Sequence, residues 1–292
     1  MGERHPLFSP ARLSQAERYL AEQFASLGLA VSSHAFEVFG RSFHNVVATK
    51  HVAGPATIPP LILAAHYDTV PGSPGADDNA SGLAVLLETA RALREARLAA
   101  EVRFIAFCLE EEDLLGSRAY VTHLRERREP IAGAIVLECV GCCRHEEGSQ
   151  TIPPGIPIAV PSVGNFLAVI GNEAATPLVG ACVRAAGLPD HALPTVPLIV
   201  PGQGQALPDT RRSDHAAFWD EDLPAVMLTD TANFRNAHYH QTTDTIDTLD
   251  FSFMAQVARM LAATVVALAG ETAASPDTSS TPDIPDVPPQ PR

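Results

Sequence analysis

Three apolar runs limit the folds open to this chain more than any other feature. Leu61 to Ala65, Val102 to Leu109 and Ala134 to Val140 are dominated by apolar residues without regular polar alternation. Such runs read as strands buried on both faces rather than strands with one wet face. Helical patterns over Ser81 to Arg97 and Gly116 to Arg127 separate them. Buried strands alternating with helices predict an α/β fold with a mixed, mainly parallel central sheet covered on both faces, a three-layer α/β/α arrangement.

The rest of the chain extends this pattern. Ser9-Pro10 reads as an N-cap followed by proline at the first helical position, and Leu13, Leu20, Phe24 and Leu27 follow at helical spacing up to Gly28. Leu29 to Phe39 and His44 to Lys50 are β-rich, and Phe166 to Gly171, Leu198 to Pro201 and Ala225 to Leu228 read as further strands. Phe251 to Leu268 is an amphipathic helix. Its most apolar part, Met254 to Ala269, carries Gln256 and Arg259, which argues against a membrane span. Cys142 to Gly164, rich in Gly and Pro, predicts a long ordered loop of the kind that often shapes a site. From Glu271 onward, six prolines in 22 residues among Ser, Thr and Asp predict a disordered tail. Residues 1–270 then form a single domain, and 271–292 the tail.

Charge and cysteines exclude several function classes. There are 34 acidic against 20 Lys and Arg residues, a net charge of −14. Nucleic acid or an anionic membrane would need clustered basic residues, and the densest stretch, Arg125 to Arg128, is interrupted by Glu126. The five cysteines do not form a disulfide framework. Cys139, Cys142 and Cys143 cluster without a partner pair at zinc-finger spacing, so a structural metal there is disfavoured. Met1 to Ser9 lacks the basic and apolar regions of a signal peptide, so the chain as given reads as cytoplasmic.

Ionisable residues gather where a parallel sheet places its ligands, beyond the carboxyl ends of its strands. His66 and Asp68 end the first run, Glu110 and Glu111 follow the second, and Glu138 lies near the end of the third. His238, Tyr239 and His240 lie in a polar loop before the last helix. A lone His66 would more often be structural, and Glu110 to Asp113 alone would read as a solvated helix start. Glu138 is harder to dismiss within an apolar strand. Histidines and carboxylates converging from separate elements are what a dication such as zinc requires.

Five blocks in order carry a resemblance to a known family: His66-Tyr67-Asp68, Gly75-Ala76-Asp77-Asp78-Asn79-Ala80-Ser81-Gly82, Glu110-Glu111 ahead of Gly116-Ser117, Leu137-Glu138-Cys139-Val140-Gly141, and Tyr239-His240-Gln241 before Asp244-Thr245. The chain resembles the co-catalytic zinc aminopeptidases of the bacterial leucyl aminopeptidase and aminopeptidase S type, which share their fold with glutaminyl cyclases. The resemblance runs from about Arg12 to Leu268. It implies two zinc ions bridged by Asp78. His66 and Glu138 would complete one metal's protein ligands, and Glu111 and His240 the other's. Glu138 stands where the best-known members more often carry Asp. The resemblance also implies Asp68 as acceptor of the His66 imidazole N–H, Glu110 as general base, Tyr239 as donor to the developing oxyanion, and a cis peptide at Asp78–Asn79. Three consecutive glutamates also allow a register of Glu111 and Glu112, and His238 is an alternative to His240.

The implied activity is removal of N-terminal residues from peptides with a free N-terminus. Glutaminyl cyclisation with one metal, or hydrolysis of another amide, is the alternative on the same scaffold. A catalytically dead binding module is disfavoured by the retention of Glu110 and every ligand. A serine hydrolase is disfavoured because no GxSxG elbow occurs. Ser213-Asp214-His215 cannot fold into a triad from adjacent positions and is expected to line the site.

Overall fold

The computed structural model describes residues 2–52, 58–189 and 192–270. The expected tail over 271–292 lies outside these residues. Within them, eight strands form one mixed sheet in the order β1-β2-β4-β3-β5-β8-β6-β7. The strands are β1 (Ala30–Val38), β2 (Arg41–Lys50), β3 (Ile58–His66), β4 (Ala100–Phe107), β5 (Gly133–Glu138), β6 (Leu167–Asn172), β7 (Thr195–Val200) and β8 (Ala225–Thr229). The helices are α1 (Pro10–Ser26), α2 (Gly82–Ala92), α3 (Leu115–Glu126), α4 (Thr176–Ala186), α5 (His215–Trp219) and α6 (Phe251–Ala269).

The three apolar runs become the central strands. β4, β3, β5 and β8 are mutually parallel, whereas β1, β2 and the β8–β6 junction are antiparallel. Residues Leu61 to Ala65 of β3 alternate between two cores although all five are apolar. Leu61, Leu63 and Ala65 pack with α1, α2, α4 and α6, while Ile62 and Ala64 pack with α3 and α5. A strand clamped between two helical layers cannot be polar on either face, which is why these runs lack alternation.

Some boundaries differ from expectation. The helix expected over Ser81 to Arg97 ends at Ala92, and β7 starts three residues before Leu198. Ser9 precedes α1, but its hydroxyl accepts the His5 N–H at 2.7 Å instead of capping the helix, while Pro10 holds the first helical position. Helix α4 is an element beyond those expected from the sequence. α6 packs against α2, α4, β3 and β4, and its apolar residues serve the core.

Candidate metal centre and active site

The carboxyl ends of β3, β4 and β5 bring the expected residues together. His66 and Glu138 are the last residues of β3 and β5, and the acids Glu110 and Glu111 follow β4 through Leu109. Leu109, Cys139 and His240 have left-handed backbones, with φ of 62°, 49° and 59°. Non-glycine residues adopt that region at a cost and are concentrated at functional sites. The Asp78–Asn79 peptide is cis, as expected.

Asp78 is the centre of the cluster. Its Oδ1 lies 3.2 Å from His66 Nε2, which is 3.4 Å from Glu138 Oε2 and 3.9 Å from Glu110 Oε2. Its Oδ2 lies 2.9 Å from His240 Nε2, which is 3.3 Å from Glu111 Oε2. One carboxylate therefore presents an oxygen to each of two donor sets. The alternatives fall outside the cluster: Glu112 pairs with His5 at 3.2 Å, and His238 Nδ1 faces Thr243 Oγ1 at 2.9 Å.

The electrostatics follow from burial and crowding. Burial pushes the Glu110 carboxyl well above its usual range, and it pushes Glu111 up to about 7, with Asp78 adding to the rise. Burial would lower His66, but the charges of Glu110 and Glu138 outweigh it and raise the imidazole well above its ordinary value. His240, also opposed by burial, is held at about 10 by Asp78 and Glu111. Asp78 goes the other way: burial would raise it, but the two histidines hold it below the usual carboxylate range. Crowded carboxylates that retain protons are groups in need of positive charge.

Asp68 faces His66 on one side and the acid loop on the other. Its Oδ1 lies 3.6 Å from His66 Nδ1, and this contact adds to the rise in the imidazole's proton affinity. Its two oxygens also accept the backbone N–H groups of Glu110 and Glu111, each at 3.1 Å. Asp68 thus fixes the acid loop after β4. Tyr239 stacks on the His240 imidazole with ring centroids 3.8 Å apart, and its Oη accepts from Arg212 Nη2 at 3.2 Å.

Several residues support the cluster from around it. Asp244 accepts the backbone N–H groups of Asp77 and Asp78, at 2.8 and 3.1 Å. Arg4, 4% exposed, donates to the carbonyls of Tyr67, Pro74 and Gly75, strapping the loop between His66 and Asp78. Gly75 is left-handed at φ +66°, and a Cβ there would collide with Thr69, Asp78 and Arg4, so the strap requires glycine. Ser213 donates to Glu138 Oε2 at 2.8 Å, while His215 turns away to the Thr210 carbonyl. The Ser213-Asp214-His215 segment lines the site and forms no triad. Beside Glu138 and Tyr239 opens a cleft whose apolar lining includes Ile156, Ile170, Met227 and Phe234.

Residues 45–163 and 198–265 match the model of Peptidase family M28. The chain is 36% identical over 259 residues to the uncharacterized protein YfbL of Escherichia coli K12, covering 84% of this chain and 77% of that protein. It is 57% identical over 67 residues to the aminopeptidase YwaD of Bacillus subtilis, which covers 23% of this chain and 15% of YwaD. Among solved structures it resembles a zinc aminopeptidase from Bacillus subtilis, with a TM-score of 0.61 and 24% identity over 80% of this chain and 52% of that one. The chain thus spans about half the length of that enzyme. This chain belongs to Peptidase family M28 and is a hydrolase whose substrates are peptides.

Proposed function

We propose that this chain is an aminopeptidase that holds two zinc ions, one on each side of Asp78. The observation that carries the reading is the two-sided carboxylate: Oδ1 faces His66 and Oδ2 faces His240. Donors about 2.0–2.2 Å from a tetrahedral zinc lie roughly 3.5 Å apart, and the separations across the two sets run from 2.9 to 3.4 Å. His66 Nε2, Asp78 Oδ1, Glu111 Oε1 and His240 Nε2 are buried without a hydrogen-bond partner, so the donor set fits a metal. His66, Asp78 and Glu138 would hold one ion, and Asp78, Glu111 and His240 the other.

Bound zinc would supply Lewis acidity toward the scissile carbonyl and toward water. Glu110 would take the proton of the attacking water as its oxygen bonds to the carbonyl carbon. It would return that proton to the amine nitrogen as the C–N bond breaks, a role suited to a carboxylate whose burial raises its proton affinity. Arg212 donates to the Tyr239 oxygen, which leaves the phenolic proton free to point at the developing oxyanion. The cleft beside Glu138 and Tyr239 would receive an apolar side chain at the substrate's N-terminus.

The test is a panel of aminoacyl-p-nitroanilides, each with its N-acetylated counterpart, assayed with zinc-loaded protein. The free-amine compounds should release p-nitroaniline fastest when the side chain is apolar, and the acetylated ones should be inert. Equal turnover of acetylated and free substrates would refute an aminopeptidase.

A further inference from the structure

The three clustered cysteines do not share a site. Cys139 Sγ turns to Glu138 Oε1 at 3.3 Å, and Cys142 is buried beside Asp77 and Asp230. Cys143 is half-buried. Its Sγ lies 3.8 Å from Nε2 of His145, two residues on. The third neighbour arrives from a different element. Asp250 precedes α6, and its N–H donates to the Gly141 carbonyl at 2.8 Å, which draws the start of that helix onto the loop. Asp250 Oδ1 caps α6 by accepting the Phe253 N–H at 2.9 Å, leaving its second oxygen for another partner. One ligand atom from each of Cys143, His145 and Asp250 lies within 4.8 Å of the other two.

We propose that Cys143, His145 and Asp250 form a further metal site, separate from the Asp78 centre, that binds a borderline dication such as zinc. A thiolate, an imidazole and a carboxylate suit such an ion. Tetrahedral donors about 2.0–2.3 Å from zinc sit roughly 3.3–3.8 Å apart, and the Sγ–Nε2 separation of 3.8 Å lies at the upper end of that range. Three protein ligands leave the fourth position to water, and the exposure of His145 makes the ion exchangeable. The site would pin the loop after β5 to α6. The same loop carries Glu138 at its start, and its Gly141 N–H donates to Asp77 Oδ1 at 2.8 Å beside the bridging Asp78. Metal here would therefore stiffen one wall of the active site without touching the reacting atoms.

Thiolate ligation separates this site from the Asp78 centre, whose assigned donors are all nitrogen and oxygen. Metal-stripped full-length protein is titrated with cobalt(II) and followed by near-ultraviolet absorption and metal counting. A thiolate-to-cobalt charge-transfer band should appear, persist in Cys139→Ser, and vanish in Cys143→Ser together with one equivalent of bound metal. His145→Ala should weaken the band and serves as the second variant if Cys143→Ser does not fold. Absence of the band in the unsubstituted chain overturns the proposal. So does a band that survives Cys143→Ser, or an unchanged metal count in that variant. Cobalt bound without a band would leave the Asp78 reading standing alone, so the two readings fail separately.

Discussion

The two sides of the Asp78 carboxylate are built by different means. On the Oδ1 side, His66 and Glu138 end neighbouring parallel strands and are 0% and 5% exposed. Their backbones are set by the sheet. On the Oδ2 side, Glu111 lies in the loop after β4, and His240 occupies a left-handed turn with its side chain 34% exposed. That side depends on added tethers: Asp68, 43 positions away, on the N–H of Glu111, and the adjacent Tyr239 stacked on the imidazole. The sheet side is pre-organised, and the loop side is assembled. A metal held by rigid, buried donors should be retained more firmly than one held partly by a loop.

The largest expected effect concerns neither side's grip on metal. Glu110→Gln should keep its zinc and lose roughly 10²–10⁴-fold in kcat, the range for removing a general base. Near-normal turnover with metal retained would remove Glu110 from that role. Next, Asp78→Ala should release metal from both sides on dialysis, whereas His240→Ala should release it from the loop side alone. Equal losses in the two variants would erase the distinction drawn here. Smaller again is Asp244→Asn, which weakens the hold on the Asp77 and Asp78 amides and should lower zinc affinity about 10–100-fold, as outer-shell changes do. Competition with a chromogenic chelator would read this, and unchanged affinity would show that the turn holds itself.

The subtlest effect is on pH dependence. In metal-free protein Asp77 is raised to about 6, Glu111 and Asp214 to about 7, each by burial first. The folded state therefore binds these protons more tightly than the unfolded one. Their contribution is present below the ordinary carboxylate range and lost as pH rises through 6 to 7. His240, held at about 10 by Asp78 and Glu111 against burial, loses its contribution as pH climbs from 6.5 to 10, with the same sign. The Tm of metal-free protein should thus fall from pH 5 to pH 9, while the rise on adding zinc grows as protons leave the ligands. A metal-free Tm that climbs across this interval would contradict the cluster's electrostatics.

The central sheet was legible because β3, β4 and β5 are buried on both faces and show it as apolar runs. His66 and Glu138 stood out for the same reason, as polar residues at the ends of such runs. Other parts had weaker signals. Helix α4 carries Leu178, Val179, Cys182, Ala185 and Ala186 at helical spacing after Asn172, whose side chain accepts the Ala175 N–H. Asp244 stood in the block after His240, but its partners lie 167 positions away, and Arg4, which acts some 70 positions away, carried no signal at all. The Glu110/Glu111 register could not be fixed from three identical residues in a row; only the left-handed Leu109 and the amide grip of Asp68 orient them. Asp68 was legible as a neighbour of His66, but its hold on the amides of Glu110 and Glu111 was not.

Whether one carboxylate serves two metals is decided by crystals of the zinc-loaded protein, measured by anomalous diffraction at the zinc edge. Two peaks should flank Asp78, about 3.5–4 Å apart, one against His66 and Glu138 and the other against Glu111 and His240. A single peak on one side of Asp78, or zinc bound without contact to its carboxylate, would rule out a shared carboxylate.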